Sequence, residues 1–249
     1  MQAKEITSLQ HPIVKHLVQL RTDRAHRLES GTALISGNKL IEELASYAPL
    51  KTLIIEKNYT PEVEIPAKEI FIVTAEMMKK ISGLQSPEPL AAEILLPPPA
   101  NLKGKQFLLG LDGINDPGNL GTLLRTALAL GWEGVFITKG SVDPFNEKAL
   151  RAAKGATFHL PLCYGDLKEL NQLIESNNMH VYLADMRGEP IEKMTIKSPI
   201  LLLLGSESHG IQSSLKKQFQ SVSIPMNKKM ESLNVAIAGA ILMYQLKKT

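Results

Sequence analysis

Short apolar runs punctuate the chain at regular intervals. In the first hundred residues "TALIS", "TLIIE" and "IFIVT" are too short for helices and alternate with the helix-patterned stretches "NKLIEELASY" and "AEMMKKIS". A basic segment from about Pro12 to Leu28 precedes them and is expected to form one helix. This alternation predicts a small α/β domain. Further along, "FLLGL", "GVFIT", "HVYLA" and "ILLLLG" are continuous apolar runs, the pattern of strands that a parallel sheet buries on both faces. Helical stretches such as "DLKELNQLIES" lie between them, so the second half also reads as α/β, built on a parallel sheet. The final segment, "ESLNVAIAGAILMYQLKK", is apolar nearly all round, which predicts a helix buried in the core or against a second subunit.

The clearest interruption is "LLPPPANLKGKQ", where three consecutive prolines exclude helix. We place the first domain at residues 1–96, a linker at 97–105 and the second domain at 106–249. With 249 residues and 44% hydrophobic content the chain is long enough for two such cores. The single cysteine, Cys163, excludes an internal disulfide framework and fits a reducing cytoplasm, and no CxxC or His/Cys spacing suggests a metal. The N-terminal "MQAKEITSLQHPIVKH" lacks the apolar centre of a signal peptide, and "PILLLLG" is too short to span a bilayer, so a soluble cytoplasmic protein is expected. Net charge is only +3, but the first 27 residues hold five lysines and arginines against two acidic residues. Lys15, Arg21, Arg24 and Arg27 in this segment either meet nucleic-acid phosphates or form a solvated helix face.

Three strands of the second half run into polar loops. In "LLGLDGINDPGNLGTLLRTALALG", Gly118 and Gly121 permit a tight backbone, Pro117 fixes a turn, Asn119 is able to cap the next helix and Arg125 follows it. In "ILLLLGSESHGIQ", Gly205 and Gly210 bracket Glu207. There is no GxGxxG or Walker pattern, and a carboxylate there would repel a phosphate, which favours a ligand with positive or hydroxyl character; a plain helix-capping turn fits the pattern as well. In "VSIPMNKKMESLNVAIAGAILMYQ", Pro225 ends the apolar run and Ser232 is a candidate N-cap. Asn234 is harder to place, because an amide in an apolar helix costs about 1–3 kcal/mol unless a polar neighbour satisfies it.

Taken together and in this order, "DPGNLGTLLRTA", "LLLLGSESHGI" and "IPMNKKMESLNVAIAGA" resemble the motifs of the SpoU (TrmH) family of RNA ribose 2′-O-methyltransferases, part of the knotted SPOUT class. "DPFNEKALRAAKGATFHLP" is similar to the family's connecting stretch, and "ITSLQHPIVKHLVQLR" with "ALISGNKLIEELA" resembles the small substrate-binding domain of many members. The likeness covers nearly the whole chain. It implies an RNA-binding domain at 1–96 and a methyltransferase domain at 106–249 with a deep trefoil knot, S-adenosylmethionine as cofactor, no metal, and a homodimer formed through the C-terminal region. Carried over by position, the active-site residues are Asn119, Arg125, Glu207, Ser232 and Asn234, and the cofactor pocket is lined by Gly205, Glu207, Gly210, Ile224, Met226, Leu233 and Asn234. Ala236 and Ala153 stand where serine is frequent in the family, outside these polar positions.

The implied reaction transfers a methyl group to a ribose 2′-hydroxyl, with ribosomal RNA favoured over tRNA. The alternatives are a tRNA methyltransferase and a non-catalytic module that binds RNA and cofactor. The family account gives proton removal to the arginine at position 125. A guanidinium is normally a donor only, so anchoring a phosphate and stabilising the developing alkoxide is the expected chief role of Arg125, with base action left open.

Overall fold

The computed structural model describes residues 3–47, 50–206, 210, 213–227 and 229–248. Its contacts separate at the proline tract: one unit runs up to Pro97 and includes Phe145–Arg151, and the other holds the remainder from Pro98.

The first unit comprises β1 (Lys4–Glu5), α1 (Pro12–Thr22), α2 (Arg24–Ser30), β2 (Thr32–Ser36), α3 (Asn38–Ala45), β3 (Leu50–Glu56), β4 (Ala67–Val73), α4 (Ala75–Ser82) and β5 (Leu90–Leu95). Its sheet has the order β1-β4-β3-β5-β2, with β5 antiparallel to both neighbours. Leu17, Leu20, Ile54, Phe71, Met78 and Ile81 form the centre of its core. The basic segment expected as one helix is two. Asp23 leaves the helical region (φ −118°, ψ 117°) and its carboxylate accepts from Ala25 N, capping α2.

That break decides the fate of Arg27. Its residue is 2% exposed and its guanidinium donates to the carbonyls of Leu20 and Arg21 at 2.7 and 3.2 Å. These are carbonyls at the end of α1 that lack helical partners, so Arg27 joins the two helices and is not presented to a phosphate. The expectation that Arg27 contacts RNA is corrected accordingly. Lys15 and Arg24 are exposed, and Arg21 is half-buried.

The antiparallel strand β5 was not among the expected runs, and it carries a buried carboxylate. The Glu93 side chain is 1% exposed and accepts hydrogen bonds from Thr32, Thr52 and Lys51 at 2.8–2.9 Å, while His16 Nε2 lies 2.9 Å from the same carboxylate. Burial opposes ionisation, but the bonds from His16, Lys51, Thr32 and Thr52 outweigh it and hold the carboxyl at about 2. A depressed folded-state value contributes stability that is complete above the ordinary carboxyl value and is lost as pH falls. Unfolding free energy should therefore decline as pH drops from 4.5 towards 2, by about 3 kcal/mol. Urea titrations across that range check this, and Glu93→Gln should flatten the slope.

The second unit comprises β6 (Phe107–Asp112), α5 (Pro117–Ala129), β7 (Gly134–Thr138), α6 (Glu147–Ala153, whose first five residues group with the first unit), α7 (Ala156–His159), β8 (Leu162–Gly165), α8 (Leu167–Ser176), β9 (His180–Pro190), β10 (Ile200–Gly205), α9 (Ser213–Gln218), β11 (Gln220–Ser223) and α10 (Val235–Lys247). All its strands are parallel, in the order β11-β9-β10-β6-β7-β8. Leu201–Leu204 of β10 are fully buried, as the unbroken apolar run requires. The helix α10 packs on α5 and β10, with Ala236, Gly239, Leu242, Met243 and Leu246 inward. A Cβ at Gly239 would stand 2.5 Å from Leu123 Cδ2 and 2.7 Å from Leu204 Cδ1, so a side chain there would require these leucine methyls to move. At the far end Lys247 Nζ donates to the carbonyls of Leu130 and Gly131, just past α5. No helix among the described residues is long and apolar enough to cross a membrane.

Candidate active site and cofactor pocket

The carboxyl ends of β6, β9, β10 and β11 are where a parallel α/β sheet places its ligands. At the end of β6 the chain turns through Gly113 (φ +70°). The Gly113 amide donates to Thr138 Oγ1 and Ser141 Oγ, the Ile114 amide to Ser141 Oγ, and Thr138 Oγ1 to the buried Asp112. Those three side chains latch the first loop; nothing in the sequence singled out Thr138 or Ser141. Helix α5 then begins at Pro117, its N-cap being Asp116, whose carboxylate accepts from Asn119 N at 2.7 Å. Asn119 is thus in the first turn and is not the cap, which frees its side chain for a longer reach.

That reach meets Asn234. The N-cap of α10 is Asn234, not Ser232: its Oδ1 accepts from Ala236 N and Ile237 N at 2.9 and 3.3 Å. With the oxygen so engaged, its Nδ2 faces outward and donates to Asn119 Oδ1 at 3.0 Å. One amide caps a helix and ties the first loop to the third, which resolves the polar residue at the head of an apolar helix.

A cavity of about 690 Å³ opens beside this tie. Gly205, Gly210, Ile224, Met226, Ser232, Leu233 and Asn234 all line it, and a bridge between Ser206 and Gly210 folds the second loop back on itself. Glu207 lies outside the described residues. Leu204, Val222, Ala238 and Leu242 supply an apolar floor. The wall from β9, not foreseen, contributes Ala184 to Arg187, with Lys216 of α9 facing it. Burial would raise the Asp185 carboxyl, but Lys216 and the Arg187 amide, at 2.5 and 2.9 Å from its oxygens, bring it below its ordinary value.

Arg125 stands apart. On α5 the buried positions are Leu120, Gly121, Leu123, Leu124 and Ala127, whereas Arg125 is exposed with Thr122 and Leu128. Its apolar sequence neighbours point inward because each helical residue turns about 100° from the last. Arg125 is not among the residues lining the cavity.

Two family models divide the chain between them. Residues 106–244 match the SpoU rRNA methylase family, and residues 11–92 match the MRM3-like substrate binding domain. The chain belongs to the SpoU family. The 23S rRNA (guanosine(2553)-2′-O)-methyltransferase RlmP of Bacillus subtilis is 31% identical to it over 98% of this chain and 99% of that one. An S-adenosylmethionine-bound rRNA methyltransferase from Sinorhizobium meliloti superposes with a TM-score of 0.88 at 26% identity, covering 100% of this chain and 98% of its own. A TrmH-family protein from Porphyromonas gingivalis gives 0.84 at 29% identity, over 98% and 100%. The SpoU member thus meets the expectation of an S-adenosylmethionine-dependent RNA methyltransferase. Its cavity fits that cofactor: the volume suits a ligand of this size, the floor is apolar, and polar groups converge from Asp185, Ser223 and Asn234.

Replacing Asn234 by alanine removes both the cap and the tie. Asn234→Ala should destabilise the protein by about 1 kcal/mol or more, while Asn234→Asp, which keeps the capping oxygen, should lose less; urea unfolding of the two variants makes the comparison.

Proposed function

We propose that this protein methylates a ribose 2′-hydroxyl of large-subunit ribosomal RNA in the cytoplasm, working as a homodimer. The observation that carries the reading is the single cavity lined by the second and third loops and tied to the first through Asn119 and Asn234. The substrate choice is supported by the full-length likeness to the Bacillus subtilis 23S rRNA enzyme. The reading includes a trefoil knot in the second unit, supported by the return of α10 over β10 and α5 after β11 has paired with β9. Residues 1–96 are the RNA-binding domain, with Lys15, Arg21 and Arg24 meeting phosphates, and residues 106–249 the methyltransferase domain.

Bound S-adenosylmethionine supplies an electrophilic methyl group on a positively charged sulfur. The chain's task is alignment of the ribose oxygen with that methyl and management of the charge that develops. Asn119 and Asn234 hold the loops in register, and Gly205, Gly210, Ile224, Met226 and Leu233 shape the cofactor's surroundings. Glu207 and Ser232 complete the polar set. Arg125 anchors an RNA phosphate and stabilises the nascent alkoxide, and the 2′-hydroxyl proton passes to that phosphate or to solvent.

The dimer reading is supported by the outer face of α10. Ile237, Ile241 and Tyr244 recur at helical spacing and are 51%, 36% and 50% exposed, with Leu128 of α5 at 37%. Such a row on a helix is apolar surface awaiting a partner, and a two-fold pairing covers it on both copies at once. Arg125 shares the exposed side of α5 with Leu128 and does not line its own cavity, and in this reading the paired subunit supplies the cavity that it serves.

Labelled methyl groups transferred to ribosomal RNA should appear in alkali-resistant dinucleotides; label in mononucleotides would mean base methylation and end the proposal. Arg125→Ala should lower turnover by about a hundredfold or more with cofactor affinity little changed. Ile237→Asp should give a monomer by sedimentation, and its methylation rate should collapse with the dimer.

A further inference from the structure

The residues expected around the cofactor come from the loops after β10 and before α10. The charges on the facing wall belong to β9 and α9 and have no role in that scheme. The register of β9 against β10 runs from His180 beside Ile200 to Leu183 beside Leu203, and beyond that pairing Asp185 of β9 and Gly205 of β10 line the same cavity. The Asp185 side chain is only 13% exposed, and it lines the cavity. Its Oδ1 accepts from Arg187 N at 2.9 Å and its Oδ2 from Lys216 Nζ at 2.5 Å. A carboxylate offers about four lone-pair directions, so each oxygen retains the capacity for one more donor.

S-adenosylmethionine carries two kinds of donor that a carboxylate could hold, the ribose hydroxyls and the ammonium of its amino-acid end. A cation approaching Asp185 would meet Lys216 and Arg187 on the same wall, whereas neutral hydroxyls would not be repelled. In doubly wound nucleotide-binding sheets, a carboxylate near the end of the strand beside the glycine-loop strand accepts from the ribose. Asp185, two residues past the last β9 residue that pairs with β10 and on the same cavity as Gly205, is comparably placed. We infer that Asp185 accepts the ribose hydroxyls of S-adenosylmethionine and that Lys216 is a positioning residue that fixes its carboxylate. This rests on the cavity being the cofactor site.

The test is calorimetric binding, to the full-length protein, of S-adenosylhomocysteine and its 2′-deoxy, 3′-deoxy and deamino analogues. Wild type should bind at least one deoxy analogue about tenfold to a hundredfold more weakly than the parent, the range for a hydrogen bond to a charged acceptor. Asp185→Asn should weaken the parent and shrink that discrimination to a few-fold, and Lys216→Met should preserve most of it. Equal binding of parent and deoxy ligands by wild type overturns the inference without any variant. So does an Asp185→Asn protein that weakens every ligand by one factor, or that loses discrimination only against the deamino analogue. Wild type that binds none of these ligands would instead remove the cofactor assignment itself. Thermal unfolding of each variant separates a lost contact from a lost fold.

Discussion

The second unit depends on how closely α10 approaches α5. A Cβ at Gly239 would meet the methyls of Leu123 and Leu204, so a side chain there would have to displace those leucine ends or lift α10 by up to about the width of a methyl group. The Asn119–Asn234 bond is 3.0 Å long and has little slack to absorb that. A hydrocarbon contact in the core thus supports the bond that joins two polar loops at the surface. The cavity inherits its shape from the same packing, because Ala238 and Leu242 line it while neighbouring α10 residues face α5 and β10.

The two units solve opposite electrostatic problems. In the first, charge is drawn into the core and neutralised: Glu93 is satisfied from helix and sheet alike, and Arg27 is consumed by the carbonyls at the end of α1. Basic content along a segment thus overstates what the segment can offer to a polyanion, since a guanidinium that closes a helix end has no donors directed outward. In the second unit the charges of Asp185 and Lys216 border a cavity, where a partner from outside can still compete for them.

The strands with continuous apolar runs were legible because two-sided burial leaves no polar position. β5 was not, since Ala91, Ala92 and Glu93 dilute the pattern, and neither was β11, whose four residues include two serines. Helix starts were legible as regions and misread by residue: Asp116 and Asn234 do the capping where Asn119 and Ser232 were equally eligible by type. The need of Asn234 for a polar neighbour was readable from its apolar surroundings, although only the fold could name Asn119. The wall containing Asp185 was invisible because the fold, not sequence spacing, brings β9 to the cavity that Gly205 also lines. Arg125 was visible as a residue, but its outward direction is a matter of helical phase.

Lys247 gives the α5–α10 pair a second attachment. One end is joined by Asn119 and Asn234, the other by the Lys247 ammonium on the carbonyls of Leu130 and Gly131, and each helix is 13 residues long. The pair behaves as a strut of fixed length pinned at both ends. A single residue inserted into or deleted from α10 would rotate one end by about 100° relative to the other, so one of the two attachments would have to be surrendered. Evolution can vary the side chains along this helix far more freely than it can vary their number.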